Sequence, residues 1–243
     1  MILLDLTLST AEQNLALDEA LLAECDRAGD DAHRARDAEA LRFWESPTYF
    51  VVLGVAGQHA VEADVDACAR DGIPVLRRIS GGGTVVQGPG CLSYSLVLSL
   101  EDRPEIREIK RSYAHILDRV RRALELTGTA VLGTSDIALE DQKISGNAQK
   151  RTRRALLHHG TVLHGFDVER MARWLRPPVR QPEYRRRRPH DRFVRNVPLS
   201  VEEIKARMAK EWNAVPPGIS WRAPPLDALI EEKYGNDAWN RRF

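Results

Sequence analysis

Residues 130–163 read AVLGTSDIALEDQKISGNAQKRTRRALLHHGTVL, and four apolar runs divide them: Ala130–Leu132, Ile137–Leu139, Lys143–Ala148 and Leu156–Leu163. Short apolar runs bounded by turn residues predict β-strands. Upstream, Ile109, Tyr113, Ile116, Leu117, Val120 and Leu124 recur at helical spacing, so a long amphipathic helix is expected, ended by Gly128. Before it, Val75–Ile79 and Thr84–Val86 flank three consecutive glycines, and Leu92–Leu100 is a further strand. Strands and helices mix here without the steady alternation that a doubly wound sheet requires. The expected fold is therefore a mixed α/β (α+β) domain with helices packed on a largely antiparallel sheet.

Further out, Thr10 and Gln13 have capping-box spacing, and Leu15, Leu17, Leu21 and Leu22 give the helix that follows an apolar face. The charged, Ala-rich stretch 26–37 reads as helix end and exposed loop. Leu41–Trp44 and Tyr49–Leu53 read as strands broken at Ser46 and Pro47. Val61, Val65 and Cys68 fall at helical spacing, with Gly72 placed as a C-cap. On the C-terminal side, Val168–Leu175 reads as a short helix. Arg176–Pro198 is rich in Arg and Pro and is expected to be irregular and exposed. Ser200 and Glu203 form a second capping box for a helix toward Trp212, and a short helix covers Leu226–Tyr234. Residues 1–243 are expected to form one catalytic domain, with 176–243 its less regular C-terminal part.

With 243 residues and 43% hydrophobic composition the chain has enough material for a sizeable core. Its 36 basic and 35 acidic side chains leave a formal charge of +1, without the basic excess usual in nucleic-acid binders. Cys25, Cys68 and Cys91 are too scattered for a disulfide framework or a zinc site. Acidic residues at Asp5, Glu12, Asp18 and Glu19 argue against a signal peptide, and no run is long enough to span a bilayer. A cytoplasmic protein with reduced thiols, and with neither nucleic acid nor membrane as partner, is the expectation.

Three segments carry candidate chemistry. In Arg77-Arg78-Ile79-Ser80-Gly81-Gly82-Gly83-Thr84-Val85-Val86, glycines let the backbone approach a ligand, and bare N–H groups suit an anion. Side chains alternate across a strand, so one of the two arginines should face the glycine loop. A flexible hairpin with a solvated Arg pair is the plainer alternative. In Lys143-Ile144-Ser145-Gly146-Asn147-Ala148-Gln149, preceded by Asp136, small residues leave room for a lysine ammonium over a pocket, although a lone lysine is often only a surface charge. His158-His159-Gly160-Thr161 places adjacent histidines on opposite faces of a strand, which excludes joint chelation of one metal and suggests a structural role for at least one.

Taken in order, these segments resemble the lipoate–protein ligase A family, within the biotin and lipoate ligase superfamily. The resemblance starts at Asn14-Leu15-Ala16-Leu17-Asp18-Glu19. It passes through Arg77–Gly83, Tyr94-Ser95, Lys143–Ala148 and His158–Thr161, and reaches Lys233-Tyr234 and Trp239-Asn240. It implies that lipoate or octanoate attacks the α-phosphate of ATP, giving an acyl-adenylate such as lipoyl-AMP. A carrier lysine then takes the acyl group and AMP leaves. Lys143 is implied as the catalytic residue, bridging the acyl carboxyl and the α-phosphate. Arg78, Gly81, Gly82, Gly83, Thr84, Val85, Val86 and Asp136 are implied around the nucleotide, and Gly146 and His159 beside lipoate. Magnesium is expected with ATP, with no protein ligand set for it in the sequence. The implied carriers are lipoyl domains, such as those of 2-oxoacid dehydrogenase E2 or glycine-cleavage H proteins. A separate accessory subunit is a further possible partner.

The chain departs from the family where Gln87-Gly88-Pro89-Gly90-Cys91 follows Val86 in place of a His-Asp pair and Gly-Asn, and where Ser135 precedes Asp136 in place of asparagine. The nearest rival is an ATP-independent octanoyl or lipoyl transferase using a cysteine thioester. The loop Thr134–Ile137, where such relatives carry that cysteine, has none, and Cys91 reads as a small buried residue. Biotin ligase is a third reading. A binding-only relative that uses Arg185–Arg188 as its contact surface is a fourth.

Overall fold

The computed structural model of the chain describes every residue except Asp30, Asp31, Asp102, Val179 and Arg180, and the side chains of Ala32 and His33. In chain order the strands are β1 (Ile2–Asp5), β2 (Ala40–Trp44), β3 (Phe50–Leu53), β4 (Val75–Arg77), β5 (Val85–Gln87), β6 (Cys91–Ser99), β7 (Thr129–Leu132), β8 (Asp136–Leu139), β9 (Gln142–Arg151) and β10 (Ala155–Leu163). The helices are α1 (Ala11–Ala28), α2 (Ala32–Asp37), α3 (His59–Glu62), α4 (Val65–Asp71), α5 (Pro104–Arg107), α6 (Ile109–Leu124), α7 (Glu169–Trp174), α8 (His190–Phe193), α9 (Val201–Glu211), α10 (Asp227–Leu229) and α11 (Asp237–Asn240). A 3-10 turn at Glu183–Arg185 and a π turn at Ile230–Tyr234 complete the set.

The strands form a seven-stranded sheet, β1-β2-β6-β10-β9-β8-β7, and a three-stranded sheet, β4-β3-β5. In the large sheet only β1 and β2 run parallel, so the expectation of helices on a largely antiparallel sheet holds. One face of this sheet carries Leu92, Leu96 and Leu156, packed against Ile116, Leu117 and Val120 of α6 and Ile204 and Met208 of α9. A second core joins Val97 and Leu157 to Leu15, Leu17 and Leu21 of α1, to Phe50, Val52 and Leu76 of the small sheet, and to Tyr234. A third sets Val51 and Val86 against Ala67, Met171, Trp174 and Phe193. Each fully buried Leu, Ile or Phe contributes about 1.5–3 kcal/mol, so these three clusters fix where the sheets and helices meet.

Local chemistry explains most helix ends. Thr10 and Ser200 each close a full capping box, with Gln13 and Glu203 reaching back. Gly72 ends α4 in the left-handed conformation.

Four expectations need correction. Ala32–Asp37 is a helix rather than loop, and it buries Ala35 fully; Asp30 and Asp31 of the expected loop lie outside the described residues. The helix through Val61 and Cys68 breaks at Ala63, where Asp64 caps a new start by accepting from the Ala67 N–H at 2.9 Å. Helix α6 ends at Glu125 in a left-handed conformation, before Gly128 is reached. The Arg- and Pro-rich stretch 176–198 is not simply exposed. Arg185, Phe193, Val194 and Val197 are buried, and the Arg195 N–H donates to the Lys143 carbonyl at 3.0 Å. Two of its residues, Val179 and Arg180, lie outside the described residues.

Candidate active site

A cleft of about 1150 Å³ opens between the two sheets, lined by residues of α1, β2, β3, β5, β6, β9 and β10 and by the segment 181–193. Strand pairing sets its floor. Trp44 lies opposite Ser93, and Ser93 opposite Thr161. Two residues further along, Ser95 lies opposite His159, and His159 opposite Ala148.

The paired arginines point apart, as strand alternation requires. Arg78 turns toward the glycine loop, and its guanidinium donates to the carbonyls of Gly81 at 2.6 Å and Gly83 at 2.9 Å. It also donates to Ser80 Oγ at 2.9 Å and to the Val52 carbonyl at 3.3 Å. Burial, partly offset by Glu62 and Tyr113, brings its pKa down to about 10, so it stays cationic at neutral pH. With these donors engaged, Arg78 shapes the loop and gives its surroundings positive charge. Arg77 is fully buried on the other side and lies outside the cleft lining.

Beneath the loop runs a buried polar chain. Ser80 Oγ lies 2.5 Å from His159 Nε2, and His159 Nδ1 lies 3.6 Å from Asp18 Oδ2. Asp18 accepts from Ser95 Oγ at 2.6 Å and pairs with Arg42 at 2.6 Å, and Arg42 also reaches Asn14 Oδ1 at 2.5 Å. Burial alone would raise the Asp18 pKa; Arg42, His159 and Ser95 together outweigh it, so the carboxyl sits below its usual range. His158, on the opposite face, is pushed down to about 3 by burial and by His159, and so is neutral. It bonds the Gln149 side chain at 3.0 Å and stacks on Tyr94, whereas backbone hydrogen bonds were expected for a structural member of the pair.

Lys143 lies at the other side of the cleft. Its ammonium pairs with Asp136 Oδ1 at 2.8 Å, and the Tyr184 hydroxyl donates to Asp136 Oδ2 at 2.7 Å. A Cβ at Gly146 would come within 2.7 Å of both Lys143 Cε and Nζ, so the missing side chain is the space the lysine occupies. Asn147 fastens the neighbouring turn by donating to the Ser135 carbonyl at 2.9 Å and accepting from the Tyr94 hydroxyl. Among the described residues no cluster of three or more His, Cys, Asp or Glu is placed to hold a metal ion.

The cleft thus brings together Arg78, Gly81, Gly82, Gly83, Thr84, Val85, Asp136, Lys143, Gly146 and His159. Val86 is the exception among the expected residues; its side chain packs in the third core. Asp18, Gln87, Tyr184 and His190 also line the cleft, although sequence reasoning gave them no role. For Asp18 a signal was present, since it lies in the Asn14–Glu19 segment. Tyr184 and His190 sat in a stretch read as exposed. Three buried polar atoms on cleft residues, Trp44 Nε1, Gln87 Oε1 and Ser93 Oγ, have no hydrogen-bond partner. None of the three cysteines lines the cleft, and burial pushes Cys25 and Cys91 up to about 12 and Cys68 to about 11.

Residues 10–213 match the lipoyl protein ligase A/B catalytic domain. The chain belongs to this family. It is therefore related to enzymes of lipoylation that act as ligases or as transferases. A protein of Aeropyrum pernix assigned as a lipoate-protein ligase A is 29% identical over 83% of this chain and 70% of its own length. The octanoyltransferase LipM of Carboxydothermus hydrogenoformans is 28% identical over 95% of this chain and 94% of its own. Among solved structures, the bipartite lipoate protein ligase of Thermoplasma acidophilum, studied with its E2 lipoyl domain, superposes with a TM-score of 0.79. It is 23% identical and aligned over 99% of this chain and 95% of that one, a likeness of fold. Among the described residues no helix is long and apolar enough to cross a membrane.

Proposed function

We propose that this member of the family is an ATP-dependent lipoate–protein ligase. A carboxylate oxygen of lipoate or octanoate attacks the α-phosphorus of Mg–ATP; the bond to pyrophosphate breaks and an acyl-adenylate forms. The amine of a lysine on a lipoyl carrier domain then attacks the acyl carbon, the bond to AMP breaks, and the attacking nitrogen loses a proton. Charge grows on phosphate and carboxyl oxygens in the first step, and fixed cations and donors stabilise it. Lys143 is the group suited to this, because it lines the cleft and its ammonium, lying over Gly146, pairs with Asp136. Arg78 acts through the glycine loop it fastens, leaving the loop's backbone amides for an anion. Magnesium would enter with the phosphates, as is usual for that ion.

The observation that carries the choice of ligase over transferase is that none of the three cysteines lines the cleft. A thioester route needs a thiolate at the cleft. Cys91, nearest in sequence to the glycine loop, has a pKa of about 12. The transferase reading draws on LipM, which matches nearly the whole chain. The carrier is a lipoyl domain by resemblance, and the Thermoplasma neighbour, named bipartite and studied with its E2 lipoyl domain, supports that carrier and a second ligase polypeptide. We read residues 1–243 as one catalytic unit.

The deciding experiment incubates pure protein with lipoate, Mg–ATP and a lipoyl domain, and in parallel with octanoyl carrier protein and no ATP. The domain is weighed by mass spectrometry. A lipoyl mass increase that requires ATP is the expected result. An octanoyl increase without ATP would replace the ligase reading with the transferase one.

A further inference from the structure

Among the described residues no carboxylate pairs with the buried Arg77; its side-chain hydrogen bonds go to backbone carbonyls from two distant parts of the chain. From one side, Nη1 donates to the carbonyls of Gly54 at 3.0 Å and Gly57 at 2.7 Å. From the other, Nε donates to the Trp239 carbonyl at 3.0 Å and Nη2 to the Asn240 carbonyl at 3.0 Å. The backbone of Arg77 is held by the same C-terminal residues. Its N–H donates to Asn240 Oδ1 at 2.9 Å, and its carbonyl accepts from Trp239 Nε1 at 2.9 Å. Beyond helix α11, Arg242 donates to the Val55 carbonyl at 2.7 Å and the His59 N–H donates to the Phe243 carbonyl at 3.0 Å.

The turn that Arg77 grips is pressed against the glycine loop. A Cβ on Gly54 would fall 2.1 Å from the Gly82 carbonyl oxygen, so two backbones meet there with no room for a side chain. Val55 N–H donates to the Ser80 carbonyl at 2.8 Å, and Thr84 Oγ1 donates to Glu62 Oε2 at 2.6 Å. Gly57, Gln58 and Glu62 line the cleft together with Gly81–Gly83. Force therefore passes from residues 239–243 to Arg77, from Arg77 to the 54–57 turn, and from that turn to the loop.

We propose that residues 237–243 are a clasp that assembles the glycine-loop wall of the cleft, and that Arg77 is the positioning residue through which they act. Arg77 touches no ligand in this scheme. A planar guanidinium can bond four carbonyls on two sides at once, and a lysine ammonium at the same site cannot span them. Undocking the clasp frees the turn, and the amides of the loop lose their common orientation. The proposal concerns the shape of the wall; it rests on the ligase reading only for the ligand that reports that shape.

The test uses full-length Arg77→Lys and, as a milder change, Trp239→Phe, which removes the indole donor to the Arg77 carbonyl and leaves a smaller ring beneath Arg242 and Lys233. Backbone amide exchange is followed without ligand. Exchange in residues 54–62 and 80–84 should speed up by about tenfold or more in Arg77→Lys, and by less in Trp239→Phe, with α6 and β10 unchanged. Mg–ATP titration should show weakening of similar size. Unchanged exchange in both segments, or equal acceleration across α6 and β10, would overturn the clasp. Should Arg77→Lys fail to fold, the Trp239→Phe comparison decides. Wild-type protein that does not bind Mg–ATP would count against the proposed function and leave the exchange result to judge the clasp.

Discussion

Arg42 and Lys143 are two cations of the same cleft region, and their surroundings differ in kind. The Arg42 side chain is 0% exposed, and its donors are taken by Asp18, Asn14 and the Leu6 carbonyl. The Lys143 side chain is 26% exposed and meets one carboxylate, which is shared with Tyr184. Arg42 belongs to the framework: its charge is fully used inside the protein and positions Asp18, and through it His159. Lys143 holds a charge that a ligand can recruit by displacing a single partner. A buried pair and an accessible pair in one cleft thus divide the tasks of holding shape and meeting substrate.

The strongest way to break this contrast is Arg42→Met. Removing one partner from a buried pair leaves Asp18 uncompensated and should cost about 3–5 kcal/mol of stability, seen as a lower urea midpoint. A change below about 1 kcal/mol would show that the framework role is misassigned. Lys143→Ala should do the opposite. Its stability should shift by less than about 1 kcal/mol because the pair is partly exposed, yet lipoate-driven ATP–pyrophosphate exchange should fall by about 100-fold or more. Near-normal exchange would remove Lys143 from the chemistry.

The framework also has a pH signature. The pKa of His158 is lowered in the folded state to about 3 from 6.5, so the unfolded chain binds the extra proton first. Stability from this group is fully present above 6.5 and is lost as pH falls toward 3, with a slope of up to about 1.4 kcal/mol per pH unit. Asp18, also lowered, acts in the same direction further into the acid range. Urea titrations at pH 7 and pH 5 on wild type and His158→Asn should show a shallower acid loss in the variant. Equal losses would mean that other groups dominate.

Cys91→Ser sharpens the ligase side of the comparison with a smaller effect. It should lose about 1 kcal/mol from burying a hydroxyl and keep its activity. Loss of activity with the fold intact would point back to a thioester.

The smallest effect concerns the arginine run. Only Arg186 and Arg187 of the four are exposed, whereas Arg185 is buried and Arg188 bonds Asp141 at 2.8 Å. Changing Arg186 and Arg187 to Ser should lower the rate of carrier modification by a few-fold, about 0.5–1 kcal/mol, and flatten its salt dependence. Adenylation should be unaffected. Lost adenylation would place these residues in the site itself.

The fold was legible in sequence wherever local chemistry determines it: capping boxes at Thr10 and Ser200, the helical spacing of α6, and strand runs from β6 to β10. Lys143, Gly146 and the glycine loop stood out through their resemblance to the family's motifs in order; by residue type alone Lys143 read more readily as a surface charge. Other features depend on tertiary contact. Arg42 looks like any strand arginine until Asp18 meets it across 24 residues. Tyr184 gives no periodic signal, and its segment becomes ordered through contacts that composition does not encode, such as Phe193 in the third core. Helix α2 was hidden by its charges, which a short surface helix can leave in water. Arg77 and Arg78 were separable by alternation alone, but the carbonyl partners of Arg77 could not be anticipated.

Those partners carry a consequence for biosynthesis. The Arg77 N–H and its acceptor on Asn240 are separated by 163 residues. At ordinary translation speeds of about 5–20 residues per second, Arg77 emerges roughly 8 to 33 seconds before Asn240 exists. By the end of that interval the sheet, α1 and the Lys143 hairpin have been made, yet the Arg77 guanidinium still lacks its acceptors on Trp239 and Asn240. A ribosome-bound chain therefore holds nearly all of the cleft's side chains and still lacks the residues that enclose Arg77.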